Sequence, residues 1–116
     1  MEDLIKGVFS QTVTLYRLRE GQVQRWVSTR AYMEMENQLT VDEHGCRQKR
    51  KFVLSLSGQD GPLEPGDRVY RGIGPEITAQ DWDQFIPVLV EGLGEVRYVK
   101  PYYWRDVLCL TEAGQK

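Results

Sequence analysis

The sequence predicts a mainly β fold, a barrel or sandwich of about six strands with one or two short helices. Runs of alternating apolar and polar residues, rich in β-branched and aromatic types, recur along the chain. A well-specified turn, Pro65-Gly66-Asp67, leads directly into one of these runs. No internal repeat or linker interrupts the 116 residues, a length typical of one domain. We therefore expect residues 1–116 to form a single β-rich domain.

The first third of the chain predicts a hairpin. Residues 3–9 favour one or two helical turns, and residues 11–18 favour a strand in which alternate side chains face opposite ways. Residues 19–22 supply a turn. Residues 23–35 then predict a long second strand, bent near Ser28-Thr29.

The middle of the chain alternates polar connections with strands. Residues 37–51 are polar and show no apolar periodicity, which predicts a loop or a mobile hairpin tip. Residues 52–56 predict a third strand. Residues 58–66, with three glycines and two prolines, predict a surface connection that ends in the turn described above. Residues 68–71 follow as the fourth strand.

A change of periodicity after residue 75 predicts a short helix. Thr78 is a good N-cap residue, and Trp82, Phe85 and Ile86 would share one apolar face of a helix that Pro87 ends.

The end of the chain predicts two more strands, over residues 95–100 and 106–111. The aromatic cluster at residues 101–104 would join them. Residues 112–116 predict a frayed tail.

Composition excludes several classes of function. With 15 basic and 17 acidic residues the net charge is −2 and the pI about 5.4, which argues against sequence-independent duplex binding by an isolated subunit. The N-terminus resembles no secretory signal, and the longest apolar run, residues 85–90, is interrupted by Pro87, so no membrane span is expected. Cys46 and Cys109 fit two reduced thiols better than the alternative of one disulfide.

Residues 42–46, Asp-Glu-His-Gly-Cys, are the one cluster in the sequence from which a metal site could be argued. Their spacing matches no usual zinc pattern. His44 is the single histidine, so a catalytic triad would have to use it from a polar loop. We therefore expect no catalysis, no metal and no cofactor.

Arg47, Lys49, Arg50 and Lys51 form the one dense basic run. In an acidic domain such a run is usually a solvated face. In a ring, however, one loop per subunit would concentrate positive potential in a channel and could contact nucleic acid there.

Four aromatic residues are candidates for a subunit interface: Trp82, Tyr102, Tyr103 and Trp104. Aromatic side chains are enriched where subunits meet. The cluster at residues 102–104 has a second interpretation, since tyrosine and tryptophan also stack on nucleobases in single-strand binders.

The order of these landmarks resembles the small minor capsid and head–tail connector (head-completion) proteins of tailed phages and prophages. The matching segments are residues 12–16, Trp26, residues 63–72, residues 96–99 and Trp104.

This resemblance implies a β-barrel subunit that joins others in a homo-oligomeric ring between portal and tail. Such a ring seals the head or passes DNA onward without catalysing a reaction. The implied partners are portal or tail proteins, with passing contact to DNA. The implied location is the head–tail junction of the virion, and the bacterial cytoplasm during assembly. The alternative is a monomeric OB-like module that binds single-stranded nucleic acid through the aromatic cluster and the basic run.

Overall fold

A computed structural model describes residues 10–42 and 45–115, and for residues 37–42 and 46–50 it describes the backbone. This part of the chain is all β, with seven antiparallel strands curled into a half-barrel. The strands are β1 (Gln11–Arg19), β2 (Gln22–Asp42), β3 (Gly45–Ser57), β4 (Arg68–Arg71), β5 (Leu93–Glu95), β6 (Tyr98–Trp104) and β7 (Val107–Gln115). The predicted β class is confirmed.

The order of the strands in the sheet is β5-β4-β1-β2-β3-β7-β6. The two edge strands, β5 and β6, are neighbours in the chain and are joined by Val96 and Arg97. The Val96 N–H donates to the Asp67 carbonyl, at 2.8 Å, and the Arg97 N–H donates to the Gly114 carbonyl, also at 2.8 Å. Val96 and Arg97 alone therefore connect the strand at one edge of the curled sheet to the strand at the other edge.

The main core lies on one face of the curled sheet. Val13 and Leu15 of β1 share this face, as their alternation predicts, and both are fully buried. The other buried members are Ala31, Met33, Phe52, Leu54, Leu56, Leu63, Val69, Val96 and Ala113. Burial of this apolar surface contributes most of the free energy that stabilises such a sheet.

A second, smaller core lies on the opposite face of β1. Tyr16 is fully buried there, and its ring meets that of Phe85 edge to face with centroids 4.6 Å apart. Leu93 completes the cluster. Residues 72–92, which we call the covering segment, lie over this face, so β1 is buried on both sides.

The covering segment contains turns where the sequence predicts a helix. The Thr78 N–H and hydroxyl both donate to the Asp81 carboxylate, at 3.0 and 3.1 Å. The turn propagates only as far as Phe85, because Arg68 binds the carbonyls of Trp82 and Phe85 that a continuing helix would use. The helix prediction for this segment is therefore wrong, and no helix is present in residues 10–42 and 45–115.

The hairpin of β2 and β3 extends beyond the rest of the sheet. β1 pairs with β2 only as far as Ala31, and β7 pairs with β3 only from Phe52. Residues 36–42 and 45–51, which we call the ribbon, continue the β2–β3 register alone. At roughly 3.3 Å per residue the ribbon projects by about 20 Å, which contributes to a long axis of 50 Å. Of the two alternatives predicted for residues 37–51, the loop is wrong and the hairpin is found, because residues 36–42 pair with residues 45–51.

The bend predicted in β2 is confirmed as a β-bulge. The register shifts between the pairs Val13↔Ser28 and Gln11↔Ala31, which places one extra residue on β2.

The end of the chain differs from the sequence prediction. The strand expected over residues 95–100 divides into β5 and β6. The tail expected to fray belongs to β7 as far as Gln115, and Ala113 pairs with the buried Leu54. The frayed-tail prediction is wrong for residues 112–115, because this stretch belongs to β7, which pairs with β3 on one side and with β6 on the other.

Candidate interaction surfaces

The end of the β6–β7 hairpin carries the most concentrated group of exposed aromatic residues in the described chain. Tyr102, Tyr103, Trp104 and Val107 are 47%, 63%, 67% and 62% exposed; we call them the aromatic hairpin. Contiguous exposed apolar groups of this kind mark interaction sites more often than scattered ones do. Three of the four predicted interface residues are therefore exposed together at one end of the β6–β7 hairpin.

A tight turn connects the two strands of the aromatic hairpin. Arg105 and Asp106 both have positive φ, 48° and 64°, as in the type I′ turns that suit two-residue β-hairpins. The Arg105 guanidinium lies over the Trp104 ring, 5.7 Å from its centroid. The hairpin thus presents an aromatic surface flanked by one positive and one negative side chain.

The base of the aromatic hairpin is held by the turn after β3. The pairs Tyr102↔Leu110 and Tyr103↔Leu108 leave Cys109 as an extra, bulged residue. The Gly58 N–H donates to the Cys109 carbonyl at 3.0 Å. Cys109 is an exposed free thiol, whereas the side chain of Cys46 lies outside the described part of the structure.

Trp82, the fourth predicted interface residue, is not in the aromatic hairpin. It is half-buried in the second core, and the Arg68 guanidinium stacks 3.8 Å from its ring centroid. Its main described contacts are therefore within the chain, and its contribution to an interface stays a prediction.

Arg68 is a buried arginine that the sequence analysis did not single out. It is 8% exposed, and one of its terminal nitrogens donates to the Trp82 and Phe85 carbonyls, at 2.8 Å for Phe85. Burial lowers the pKa of this guanidinium, while the nearby carboxylates of Glu95 and Asp83 partly oppose that shift. An arginine in a short strand gives no sequence signal that distinguishes this arrangement from an exposed one.

The turn before β4 is fixed by an ion pair, and its prediction is confirmed. Gly66 has φ 98°, and the Asp67 carboxylate accepts two hydrogen bonds from Arg17, at 2.9 and 2.7 Å. The same carboxylate accepts the Glu64 N–H at 2.8 Å. Asp67 raises the pKa of Arg17. The bidentate pair therefore anchors the turn to β1.

The backbone register of the ribbon divides the basic run between two faces. Arg47, Lys49 and Lys51 occupy alternate positions of β3, and Arg50 lies between them. The side chains of Arg47, Lys49 and Arg50 lie outside what the structure describes. Lys51 is half-buried at the base of the ribbon. The basic run is thus carried on a projecting element.

A groove of about 410 Å³ lies where the ribbon leaves the sheet. Its apolar lining residues are Met33, Met35, Phe52 and Val53, of which Met33 and Phe52 are buried members of the main core. Its polar and charged lining residues are Gln11, Tyr32, Glu34, Glu36, Lys51 and Arg71. We call this the root groove. It is a concave site with both apolar and charged walls.

The aromatic hairpin and the root groove lie at opposite ends of the sheet. Trp104 pairs with Val107 at one end of β7, and Gln115 pairs with Phe52 at the other. These eight residue steps correspond to about 25 Å at roughly 3.3 Å per residue. The basic positions of the ribbon lie farther still. The two features therefore cannot form one site within a single chain.

The described residues contain neither a cluster of metal-ligating side chains nor a membrane-spanning helix. No group of three or more His, Cys, Asp or Glu is placed to hold a metal ion among residues 10–42 and 45–115. Glu43 and His44, from the cluster considered in the sequence, lie outside those ranges. The same part of the chain contains no helix with the length and apolar character needed to cross a bilayer.

Comparison with known proteins gives no match. No protein family, no curated protein and no solved structure matches this chain.

Proposed function

We propose that this chain is a virion structural protein of a tailed phage or prophage, a head–tail connector or minor capsid subunit. It assembles into a ring between portal and tail and catalyses no reaction. The landmarks that resemble this family support the proposal, since two of them now have defined structural roles. Residues 63–72 form an anchored turn leading into β4, and Trp104 lies on the exposed aromatic hairpin.

The observation that carries the proposal is the two-ended layout of the subunit. A closed ring of identical chains needs two different surfaces on each chain, so that one surface of a subunit meets the other surface of its neighbour. This chain has an exposed aromatic hairpin at one end of its sheet and a projecting ribbon with a groove at the other.

The ribbon also suits passing contact with DNA. A net charge of −2 does not favour DNA binding by one isolated chain. Repetition around a ring axis would bring together the basic positions at Arg47, Lys49, Arg50 and Lys51 and raise the local positive potential. The contact would be non-specific, as transfer of a whole genome requires.

The proposal is tested by assembly with the implied partners. The chain should form rings visible by electron microscopy and should bind a portal assembly encoded beside it. Virions lacking the chain should accumulate filled heads without tails. A chain that stays monomeric with portal and tail proteins, or virions that assemble normally without it, would contradict the proposal.

The alternative, a monomeric OB-like module for single-stranded nucleic acid, is favoured by the exposure of Tyr102, Tyr103 and Trp104. The distance of about 25 Å or more between this cluster and the basic ribbon weighs against it, because stacking and phosphate contacts would lie on separate ends. Salt-dependent binding of a labelled oligonucleotide by the monomer, lost in Trp104→Ala, would favour this module over the ring.

A further inference from the structure

We infer that the two edges of the ribbon join neighbouring copies of this chain, so that β2 of one copy pairs with β3 of the next in a shared antiparallel sheet. The inference rests on the proposed ring, for which it names a contact between subunits. We call residues 34–42 the β2 edge and residues 45–51 the β3 edge.

The first argument is that both edges carry main-chain groups that no strand satisfies within the described part of the chain. β1 pairs with β2 only as far as Ala31, and β7 pairs with β3 only from Phe52. Just before the β2 edge, the Met33 N–H donates to the side-chain oxygen of Gln11, at 2.9 Å, instead of to a strand. Open strand edges of this kind are templates for pairing with a further strand.

The direction of the main-chain groups follows from the alternation of an antiparallel ladder. The Met33 N–H faces away from β3, so residues 35, 37, 39 and 41 turn their N–H and carbonyl groups the same way. The Phe52 carbonyl faces β7, where a Cβ atom at Gly114 would lie 2.3 Å from its oxygen. Residues 46, 48 and 50 therefore turn their main-chain groups to that side. Each edge thus offers a row of donors and acceptors spaced for a new ladder.

The second argument is that the two edges have opposite charge. The charged residues of the β2 edge are all acidic: Glu34, Glu36 and Asp42. Those of the β3 edge are all basic: Arg47, Lys49, Arg50 and Lys51. Opposite charges across an antiparallel pair stabilise it, and like charges destabilise it. Pairing of two β2 edges or of two β3 edges is therefore disfavoured, whereas a β2 edge suits the β3 edge of another copy.

The third argument is that four of these charged positions face neutral residues within their own ribbon. They are Glu34, Asp42, Arg47 and Lys49. The residues opposite them are, in the same order, Val53, Gly45, Thr40 and Gln38. Alternation places all four charged positions on the same face of the ribbon. A neighbouring copy in a shared sheet would therefore bring acidic and basic positions side by side on that face.

Pairing of this kind has a direction. Each copy contributes one acidic edge and one basic edge, so the contact is head-to-tail and either closes into a ring or continues as a filament. Closure would pair every ribbon edge in a barrel of ribbons, which has no free edges. The two edges are thus two different surfaces of the kind that the proposed ring needs.

Reversal of charge at each edge tests the contact. One variant carries Glu34→Lys and Asp42→Lys, and the other carries Arg47→Glu and Lys49→Glu. Each substituted position faces a neutral residue, so neither variant breaks a charge pair of its own ribbon. Arg50→Glu is the matched control, because position 50 lies on the other face of the ribbon.

We expect the unchanged chain to self-associate in sedimentation measurements, and to do so less strongly as the salt concentration rises. Each reversed variant should have a dissociation constant at least about tenfold higher, since attraction at two positions becomes repulsion. Mixing the two variants should restore assembly, because the β2 edge of each then meets a β3 edge of opposite charge. A chain with all four substitutions should assemble alone, which would also show that each substitution is compatible with folding.

A main-chain substitution separates strand pairing from simple attraction between charges. Gln48→Pro removes one N–H of the β3 edge that faces away from β2, and proline is tolerated at such edge positions. It should raise the dissociation constant about fivefold or more through the lost hydrogen bond, whereas Gln48→Ala should leave it unchanged. Equal association of the proline and alanine variants would overturn strand pairing.

Several other results would also overturn the inference. An unchanged chain that is monomeric at all concentrations would exclude the contact outright. Association that survives both reversals and is lost in Trp104→Ala would assign it to the aromatic hairpin. Mixed variants that stay monomeric would show that the edges do not recognise each other. A monomer whose salt-dependent oligonucleotide binding is lost on reversal at Arg47 and Lys49 would assign the ribbon to nucleic acid.

The inference and the proposed function fail differently. Rings that persist in both reversed variants would remove the edge-to-edge contact and leave the connector role standing. Assembly restored by mixing the variants, together with open filaments and no portal binding by the unchanged chain, would establish the contact and remove the connector role.

Discussion

Arg68 of β4 stacks on Trp82 of the covering segment, with its guanidinium 3.8 Å from the ring centroid, and binds the segment's main chain at the Trp82 and Phe85 carbonyls. One buried side chain thus supplies both a cation–π contact and hydrogen bonds that a helix would otherwise provide internally. The covering segment keeps its non-helical form because the sheet satisfies its carbonyls.

Replacement of Arg68 should therefore detach the covering segment from the sheet. Arg68→Ala leaves two partly buried carbonyls without their donor, and we expect a loss of about 2–4 kcal/mol in the free energy of unfolding. Urea unfolding followed by circular dichroism measures this loss. Arg71→Ala, at an exposed position of the same strand, is the control and should change stability by less than about 0.5 kcal/mol. Equal effects of the two substitutions would contradict this role for Arg68.

The Arg17–Asp67 pair gives a second stability prediction. Asp67→Asn keeps the shape of the side chain but removes the bidentate charged pair, and it should cost about 1–3 kcal/mol because Asp67 is almost fully buried. Urea unfolding followed by tryptophan fluorescence measures this cost. Trp26 reports on the pair, because the Arg17 guanidinium lies 5.3 Å from its ring centroid. Glu64→Gln, at a more exposed ion pair, should cost at most about 1 kcal/mol. A neutral Asp67→Asn variant would show that the turn holds without the pair.

Because Tyr16 is buried, we expect the protein to lose stability at alkaline pH, where its hydroxyl ionises. Burial raises its pKa above 10.0, with a smaller opposing effect from Arg25, and its hydroxyl donates to the Pro75 carbonyl at 2.6 Å. The unfolded chain therefore loses this proton at a lower pH than the folded chain does. The contribution of Tyr16 is fully present below about pH 10 and falls as pH rises through the folded pKa.

Denaturant unfolding across this alkaline range measures the effect. Tyr16→Phe should show a shallower decline of stability with pH, and Tyr103→Phe, at an exposed position of the aromatic hairpin, should follow the unchanged chain. A Tyr16→Phe variant with the same alkaline decline would assign the decline to other groups.

The sequence predicts the β class, the turn before β4 and the bulge in β2 because these features depend on local signals. Alternation, proline, glycine and aspartate act within a few residues of where they stand. The covering segment is mispredicted for the opposite reason. Thr78 and the apolar spacing do favour a helix, but Arg68, ten residues earlier, competes for its carbonyls. Long-range contacts of this kind leave no periodicity in the sequence.

Among the candidate surfaces, too, some features follow from local sequence and others depend on long-range contacts. The aromatic cluster at residues 102–104 is evident from composition, and its exposure follows from a two-residue turn. The root groove is not predictable, because it depends on β1 and β7 ending short of the β2–β3 ribbon. The different environment of Trp82 likewise depends on a long-range contact, in which Arg68 of β4 stacks on it.

The end of the chain provides the last prediction. A Cβ atom at Gly114 would lie 2.3 Å from the Phe52 carbonyl oxygen and 3.1 Å from the Tyr98 ring, so β7 approaches β3 too closely there for any side chain. Gly114→Ala should push the strands apart and cost about 1–3 kcal/mol, the usual effect of overpacking. It should also speed amide exchange at Leu54, whose partner Ala113 lies next to the substitution.

Glu112→Ala is the matched control, because Glu112 lies two residues earlier in β7, is only partly buried and adds no crowding when shortened. It should change stability by less than about 0.5 kcal/mol. If Gly114→Ala behaved like this control, residues 112–115 would be free of the sheet, as the sequence analysis predicts. The steric conflict with a backbone oxygen argues otherwise, since a main-chain carbonyl in a paired strand cannot move aside without breaking its ladder.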